Sequence, residues 1–419
     1  MYTKECNIFT RIFIIVLLLF LTGQPCVEAE IDFALIKKVE KDSLKYFLDY
    51  TPQKTGLTQD SSAPGSPCSI AGVGFYVAAV VVAAHNNWIT KDNAYKRIKT
   101  VLTTFKKKVQ GKNGFYYHFV DPRTGRRAWG SEVSSIDTAL FIAGVLLAGE
   151  YFKGTQIERM AHELYENVQW KWLLSSSNLL SHGYKPESGI LPYYWDSYSE
   201  HLILQALAIG SPTHPIPPSA WQEWNRFEEY VDGKRIIYTV PGPLFTYQFS
   251  HAFIDFRELY DLDINYFDNS IYATQANQNF CKRNAQHFKT YEDNYWGLTA
   301  CLGPQGYKAY GAEPGNPIHD GTIAPYGAIS SIVFTPNESF DALAHMYEKQ
   351  KNRLYGPYGF KDAFNLDKNW YAREYLAIDQ GITILMIENF RSQLIWKLFM
   401  NLEPIQKWIR LCGLRSKKT

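Results

Sequence analysis

No two cysteines in this sequence are spaced as CxxC, and its six are scattered over 419 residues. That excludes the usual frame of a structural zinc site. Histidine offers no substitute, because His118, His201, His251 and His319 stand near polar loops but no two have the spacing of metal ligands. The sequence predicts no metal and no cofactor. Charge of one sign is also lacking. Lys and Arg number 43 against 41 Asp and Glu, and no long charge run precedes the last few residues. A nucleic-acid backbone would call for a basic stripe, so nucleic acid is excluded as a partner.

Near the start lies one apolar run with basic residues ahead of it. Ile12 to Leu21 is an uninterrupted run of ten, with Lys4 and Arg11 ahead of it and Val27-Glu28-Ala29 after it. Ten residues are too few for a permanent span, and the pattern reads as a secretory signal peptide over 1–29. The expectation is a secreted or periplasmic protein with no stable membrane span after cleavage. Cys26 raises a lipoprotein alternative, but Pro25 before it departs from the small-residue pattern of lipidation sites. Cleavage would leave Cys68, Cys281, Cys301 and Cys412, and a Cys281–Cys301 disulfide stays open.

No stretch alternates apolar and polar residues for long, which removes the signature of a half-buried strand. Apolar residues recur instead at helical spacing. Predicted helices run over Ile31–Asp49, Ile70–His85, Lys91–Val109, Ser134–Tyr151, Gln156–Gln169, Ser197–Ile209, Ser219–Val231, Phe249–Leu259, Ile264–Phe288, Gly321–Val333, Asn337–Lys349, Asp379–Phe390 and Gln393–Asn401. Ala71 to Ala84 and Thr138 to Gly149 are apolar nearly all round, as in helices buried on every side, whereas Lys91–Val109 and Asn337–Lys349 have one charged face. The buried members start near Ile70, Ser134, Ser197, Ser250, Asp320 and Asp379, at intervals of 53 to 70 residues. That is an internal repeat. Six such hairpins close into an all-α (α/α)6 toroid, with a horseshoe solenoid as the competing arrangement. The domain division is a leader over 1–29, the toroid over 30–403 and a basic tail over 404–419.

Aromatic residues are plentiful at 16% of the chain, and they cluster in the loops ahead of the buried helices. The densest cluster is Leu191 to Gly210, LPYYWDSYSEHLILQALAIG, which sets Tyr193, Tyr194 and Trp195 beside Asp196 and Glu200. Aromatic faces stack on sugar rings, and a carboxyl in a partly dry cleft keeps its proton to higher pH. The plainer reading makes Asp196 or Ser197 a helix cap and the aromatics core. In a toroid these loops meet at one mouth, lined by Glu132, Asp137, Glu200, Asp255, Asp320 and Asp379. Glycoside hydrolysis needs two carboxyls held at different pKa values. Glu200 and Asp379 fit best, although an Asp ahead of a helix is also an ordinary cap. Asp255 is expected to pair with Arg257, and Asp137 to cap a helix or hold a sugar hydroxyl.

The motifs GSEVSSIDTALFIAG, YYWDSYSEHLILQALAIGSPTHPI, FTYQFSHAFIDFREL, GYKAYGAEP with DGTIAPYGAI, and YGFKDAFN followed by AIDQGITILMIENFRSQLIWKLF span much of the chain. Together they resemble the glycoamylase-like domain of bacterial endo-β-1,2-glucanases, glycoside hydrolase family 144. The resemblance implies an α/α toroid, secretion, and endolytic hydrolysis of β-1,2-glucan with inversion to short sophoro-oligosaccharides. It casts Glu200 as general acid and Asp379 as general base. The expected substrate-binding set is Glu132, Asp137, Trp129, Tyr193, Trp195, His201, His319 and Tyr307. The expected partner is a β-glucan polysaccharide or oligosaccharide, and nothing in the sequence speaks to oligomeric state. Transglycosylation and binding without catalysis are the rival functions. A polysaccharide lyase would want a basic cleft, which the near-neutral chain does not advertise.

Overall fold

In the computed structural model, residues 31–292 and 295–416 are described, so the predicted leader over 1–29 lies outside the described residues. The helices are α1 (Phe33–Asp49), α2 (Ile70–His85), α3 (Lys91–Lys107), α4 (Ser135–Tyr151), α5 (Gln156–Glu166), α6 (Leu202–Gly210) and α7 (Ala220–Glu223). They continue with α8 (Phe245–Gln248), α9 (Tyr266–Asn284), α10 (Pro325–Ile329), α11 (Pro336–Leu354), α12 (Ala377–Arg391), α13 (Leu394–Phe399) and α14 (Glu403–Leu411).

Burial sorts them as the periodicity predicts. Every residue of α2 from Ile70 to Ala84 is buried, and so is nearly all of α4. In α3 only the stripe Ala94, Ile98, Val101, Leu102, Thr104 and Phe105 is buried, leaving its lysines in water.

The apolar helices form a closed inner ring, the (α/α)6 toroid. Helices α2 and α4 cross at a pair of glycines, where a Cβ on Gly144 would lie 2.2 Å from the Gly74 carbonyl oxygen. Helix α4 packs on α6. The Ser250 hydroxyl, just past α8, accepts from the Ile203 N–H at 3.0 Å and donates to the Glu200 carbonyl at 2.6 Å. Gln248 donates to the Gly327 carbonyl of α10 at 2.8 Å, and Ser330 at the end of α10 meets Thr383 of α12. The ring shuts where Gly381 of α12 sits against the Phe75 side chain of α2. The outer partner of α12 is α1, the first described helix of the chain.

Several predicted helices are shorter than their apolar patterns. Ser219–Val231 holds only α7, followed by the strand Glu228–Val231 paired with Lys234–Ile237. The turn between them is Asp232-Gly233, both at positive φ, the Asp-Gly signature of a tight hairpin. Gly321–Val333 contracts to α10 because Pro325 takes the first helical position and keeps the residue before it extended. Ser197–Ile209 starts at Leu202, and Phe249–Leu259 holds only the 3-10 turn Ser250–Ala252, its last residue opening the strand Leu259–Asp261.

The predicted basic tail over 404–419 is built into the domain as far as it is described. Helix α14 packs on α6, with Trp408 fully buried edge-on to Trp221 at 5.2 Å. Beyond it Arg415–Ser416 pair with Leu259–Tyr260. Arg410 is exposed and Lys407 donates to the Ser211 carbonyl at 2.8 Å, while Ile405 and Trp408, three apart, make the inner face. Cys281 and Cys301 are both free, so the bridge left open by the sequence is not formed.

At the end of the ring where the inner helices begin, short strands stiffen the loops. Five of them run in the order Gly111–Lys112, Phe115–Tyr117, Val133–Ser134, Gly183–Lys185, Gly189–Ile190. Val133–Ser134 leads directly into α4, so this sheet fixes Glu132 and Asp137 relative to the ring.

Candidate active site

A cleft of about 670 Å³ opens at that end. Its walls include Ser69 and Ala71 at the start of α2, Asp137 and Leu140 of α4, Glu200 ahead of α6, and Leu376 and Ile378 at the start of α12. The loops of the repeat therefore do meet at one mouth. Trp129 and Tyr307 stand over it with 69% and 54% of their surface exposed, as sugar-stacking rings would be.

Glu200 is nearly buried yet lines the cleft. Burial pushes its pKa up to about 7, against the pull of its own backbone N–H, and the charge on Asp137 adds to the rise. It thus carries its proton close to neutral pH, as a general acid needs. The bond from Ser250 to its carbonyl fixes where it projects.

Across from it lies a charged cluster. His118 Nδ1 is 2.9 Å from Glu132 Oε1, and Nε2 is 3.5 Å from Asp137 Oδ1. Burial disfavours the imidazolium, but Asp137, the Glu132 hydrogen bond and Asp60 together lift its pKa to about 9. His118 is therefore a cation clamped between two carboxylates. The bond from His118 holds Glu132 down at about 2. Asp137 also accepts from the Ser134 hydroxyl at 2.5 Å, and Ser134 in turn caps α4. Asp137 thus belongs to both the cap and the cleft wall.

Other predicted residues fall elsewhere. Asp379 sits in the first turn of α12 but behind the wall, 2% exposed, beside Asp362. Burial, and then the Asp362 carboxyl next to it, raise its pKa well above the usual carboxylate range. Two acids in a dry site share a proton. Trp195 lies between His182 and His201, with its indole N–H donating to Ser135 at 2.9 Å, so it ties its loop to α4 rather than lining the cleft. His201 is fully buried, and burial holds it neutral, with its pKa pushed down to about 3. His319 packs against Phe280, Phe288 and Tyr291. Tyr193 is exposed outside the cleft wall. Asp255 is paired with Arg257 at 2.6 Å, and Asp320 with Lys368 at 2.9 Å.

Sequence reasoning missed Asp60, Asp362 and Trp370. Asp60 lies in TQDSSAPGSP, ahead of α2. The repeat logic applied to the first hairpin as well as the later ones would have marked that loop as part of the mouth. Asp362 and Trp370 lie in the aromatic-rich loop ahead of α12, well before the helix start that the repeat marks.

The fold and site together are an α/α ring with a carboxyl protonated close to neutral pH under two exposed aromatic rings. Residues 192–403 match the family model named Glycoamylase, and the chain belongs to that family. It is 29% identical to an exo β-1,2-glucooligosaccharide sophorohydrolase (non-reducing end) of Parabacteroides distasonis, over 90% of this chain and 58% of that protein. The chain thus spans a little over half the length of this curated relative. Among solved structures it is similar to the endo-β-1,2-glucanase of Chitinophaga pinensis in complex with sophorotriose and glucose. The TM-score is 0.86, with 28% identity over 92% of this chain and 99% of that one. A β-1,2-glucanase from Parabacteroides distasonis superposes with a TM-score of 0.84 and 26% identity, over 90% of this chain and 59% of that chain.

Proposed function

We propose that this chain is a glycoside hydrolase that cleaves β-1,2-glucan within the chain, with inversion, to short sophoro-oligosaccharides. The observation that carries the reading is Glu200, a carboxyl protonated to about pH 7 that opens into a cleft roofed by exposed Trp129 and Tyr307. Glu200 donates its proton to the glycosidic oxygen as the bond to the anomeric carbon breaks. Water attacks that carbon from the opposite face, and the base side takes the water's proton. Asp379, paired with Asp362, serves that base side. Its burial raises its proton affinity, and Leu376 and Ile378 of the same turn line the cleft. Glu132 and Asp137, held by His118, offer acceptors for sugar hydroxyls. The N-terminal apolar run supports secretion as part of the same proposal. Among the described residues no helix is long and apolar enough to cross a membrane.

A second reading, removal of sophorose from the non-reducing end, is favoured by the activity named for the Parabacteroides relative. Early products from linear β-1,2-glucan separate the two. Endo action yields a ladder of oligosaccharides and a rapid fall in mean chain length, whereas exo action yields sophorose alone. Proton NMR of the new reducing ends should show the α anomer first, because inversion of a β linkage creates it. A first-formed β anomer would overturn the inverting mechanism.

A further inference from the structure

Asp379 stands behind the cleft wall, so the base side lacks a group that touches the attacking water. Asp60 is on the wall. Its backbone is held at both ends: its N–H donates to the Pro67 carbonyl at 2.7 Å, and its carbonyl accepts from the Ala377 N–H at 2.8 Å. Ala377 opens the same helical turn that carries Asp379. The loop is thereby registered against the proposed base.

Glu132 and Asp137 are held by His118 and Ser134, Asp362 accepts from the Leu302 N–H at 2.7 Å, and Glu374 accepts from the Arg373 N–H at 3.0 Å. No hydrogen bond from a described residue reaches the Asp60 carboxyl. Asp379 also makes no hydrogen bond to a described residue through its carboxyl oxygens, but it lies behind the wall, whereas Asp60 lines the cleft. An acid pinned by its backbone and left without a partner in a cleft is placed for a ligand or a water.

The charged groups facing it come from two sides. His118 and Asp137 act from the sheet and α4, and Asp362 and Asp379 from α12 and the loop before it, with Tyr46, Tyr307 and Cys68 as neutral neighbours. Burial holds the Asp60 pKa up at about 6, with His118 pulling it down and Asp137 pushing it up. An acceptor of that affinity suits proton abstraction near neutral pH.

We propose that Asp60 is a further catalytic residue, whose carboxylate holds the attacking water on the cleft wall and takes its proton. This rests on the hydrolase reading above. As the water oxygen bonds to the anomeric carbon, one water O–H bond breaks toward Asp60. The glycosidic C–O bond breaks toward the oxygen that receives the Glu200 proton. One water is consumed, and the proton on Asp60 passes to the Asp362–Asp379 pair or to solvent.

The test uses the whole chain on linear β-1,2-glucan. Native protein that releases no reducing ends overturns the hydrolase reading, and this inference with it. With an active native enzyme, Asp60→Asn should lower kcat by roughly 10²-fold to 10⁴-fold with KM within about threefold. The native acidic limb, where activity falls as pH drops through about 6 and Asp60 takes up its proton, should be absent from the residual rate. Formate or azide should raise the turnover of Asp60→Ala in a concentration-dependent way, because a small anion can occupy the space of the lost carboxylate. That rescue also separates a missing base from a damaged fold. An Asp60→Asn enzyme with kcat within about threefold of native and its acidic limb in place would overturn the inference.

Discussion

Glu200→Gln is expected to abolish the release of reducing ends from β-1,2-glucan, with kcat down roughly 10³-fold or more, while the protein stays folded. The substitution keeps size and shape but removes the proton that Glu200, raised to about 7, presents to the cleft. The position itself is fixed by backbone bonds that Gln retains, since the Ser250 hydroxyl reaches the residue's carbonyl and not its side chain. The native pH profile carries the same signature. Glu200 works in its protonated form, so kcat/KM should fall as pH rises through about 7. Stability supplies an independent sign. The folded-state pKa lies above the ordinary 4.5, so the native state binds the extra proton between the two values and loses stability as pH rises through that window. Gln carries no such charge, so the variant should melt at a higher temperature than native above neutral pH. A variant both inactive and unfolded would say nothing for the acid role, whereas an active Glu200→Gln would remove it.

Gly144→Val is the substitution expected to cost most in folding. Helices α2 and α4 touch backbone to backbone there, and a Cβ on Gly144 would stand 2.2 Å from the Gly74 oxygen and 2.8 Å from its carbonyl carbon. The reverse contact is as tight, since a Cβ on Gly74 would be 2.4 Å from the Leu140 oxygen. Backbone atoms cannot step aside by changing rotamer. Two long buried inner helices would have to separate, exposing a seam lined by buried side chains. Overpacking in an ordinary core costs about 1–3 kcal/mol, and a clash with main chain on a closed ring should exceed it. Expression of soluble protein and thermal melting check this. The expected result is no folded protein or a melt lowered by several degrees, and a native-like melt would refute the close crossing.

The ring was legible because its evidence is spread over whole helices. Ala71 to Ala84 and Thr138 to Gly149 are so uniformly apolar that only burial on all sides suits them, and their spacing announced the repeat. Local breaks were harder to read, because the apolar pattern continues through them. Tyr230 and Val231 look like the end of a helix until Asp232-Gly233 is recognised as a hairpin turn. Trp408 and Ile405 were obscured by the basic residues beside them.

The site divides along a similar line. The place of Glu200 and Asp137 at the mouth was readable because Glu200 stands just ahead of an inner helix and Asp137 in the first turn of another. Depth was not readable. Trp195, His201 and Asp379 sit in the same loops as the cleft residues, but they face inward, and one turn of backbone decides whether a side chain reaches the cleft or the layer behind it. Trp195 illustrates the point. Its ring belongs to the predicted platform, yet its N–H is spent on Ser135 and its faces on two histidines. His118 shows the converse, a residue read only as a hydrogen-bonding group. Its place between Glu132 and Asp137 arises from the pairing of Phe115–Tyr117 with Val133–Ser134, a contact between segments that no periodicity reveals.

The measurement closest to the central claim is product analysis by the native chain on linear β-1,2-glucan, with β-1,3-glucan and starch beside it. Short sophoro-oligosaccharides should accumulate from the β-1,2-glucan alone. Release of oligosaccharides from β-1,3-glucan or starch instead, or from none of the three, would contradict the proposed hydrolysis of β-1,2-linkages in this cleft.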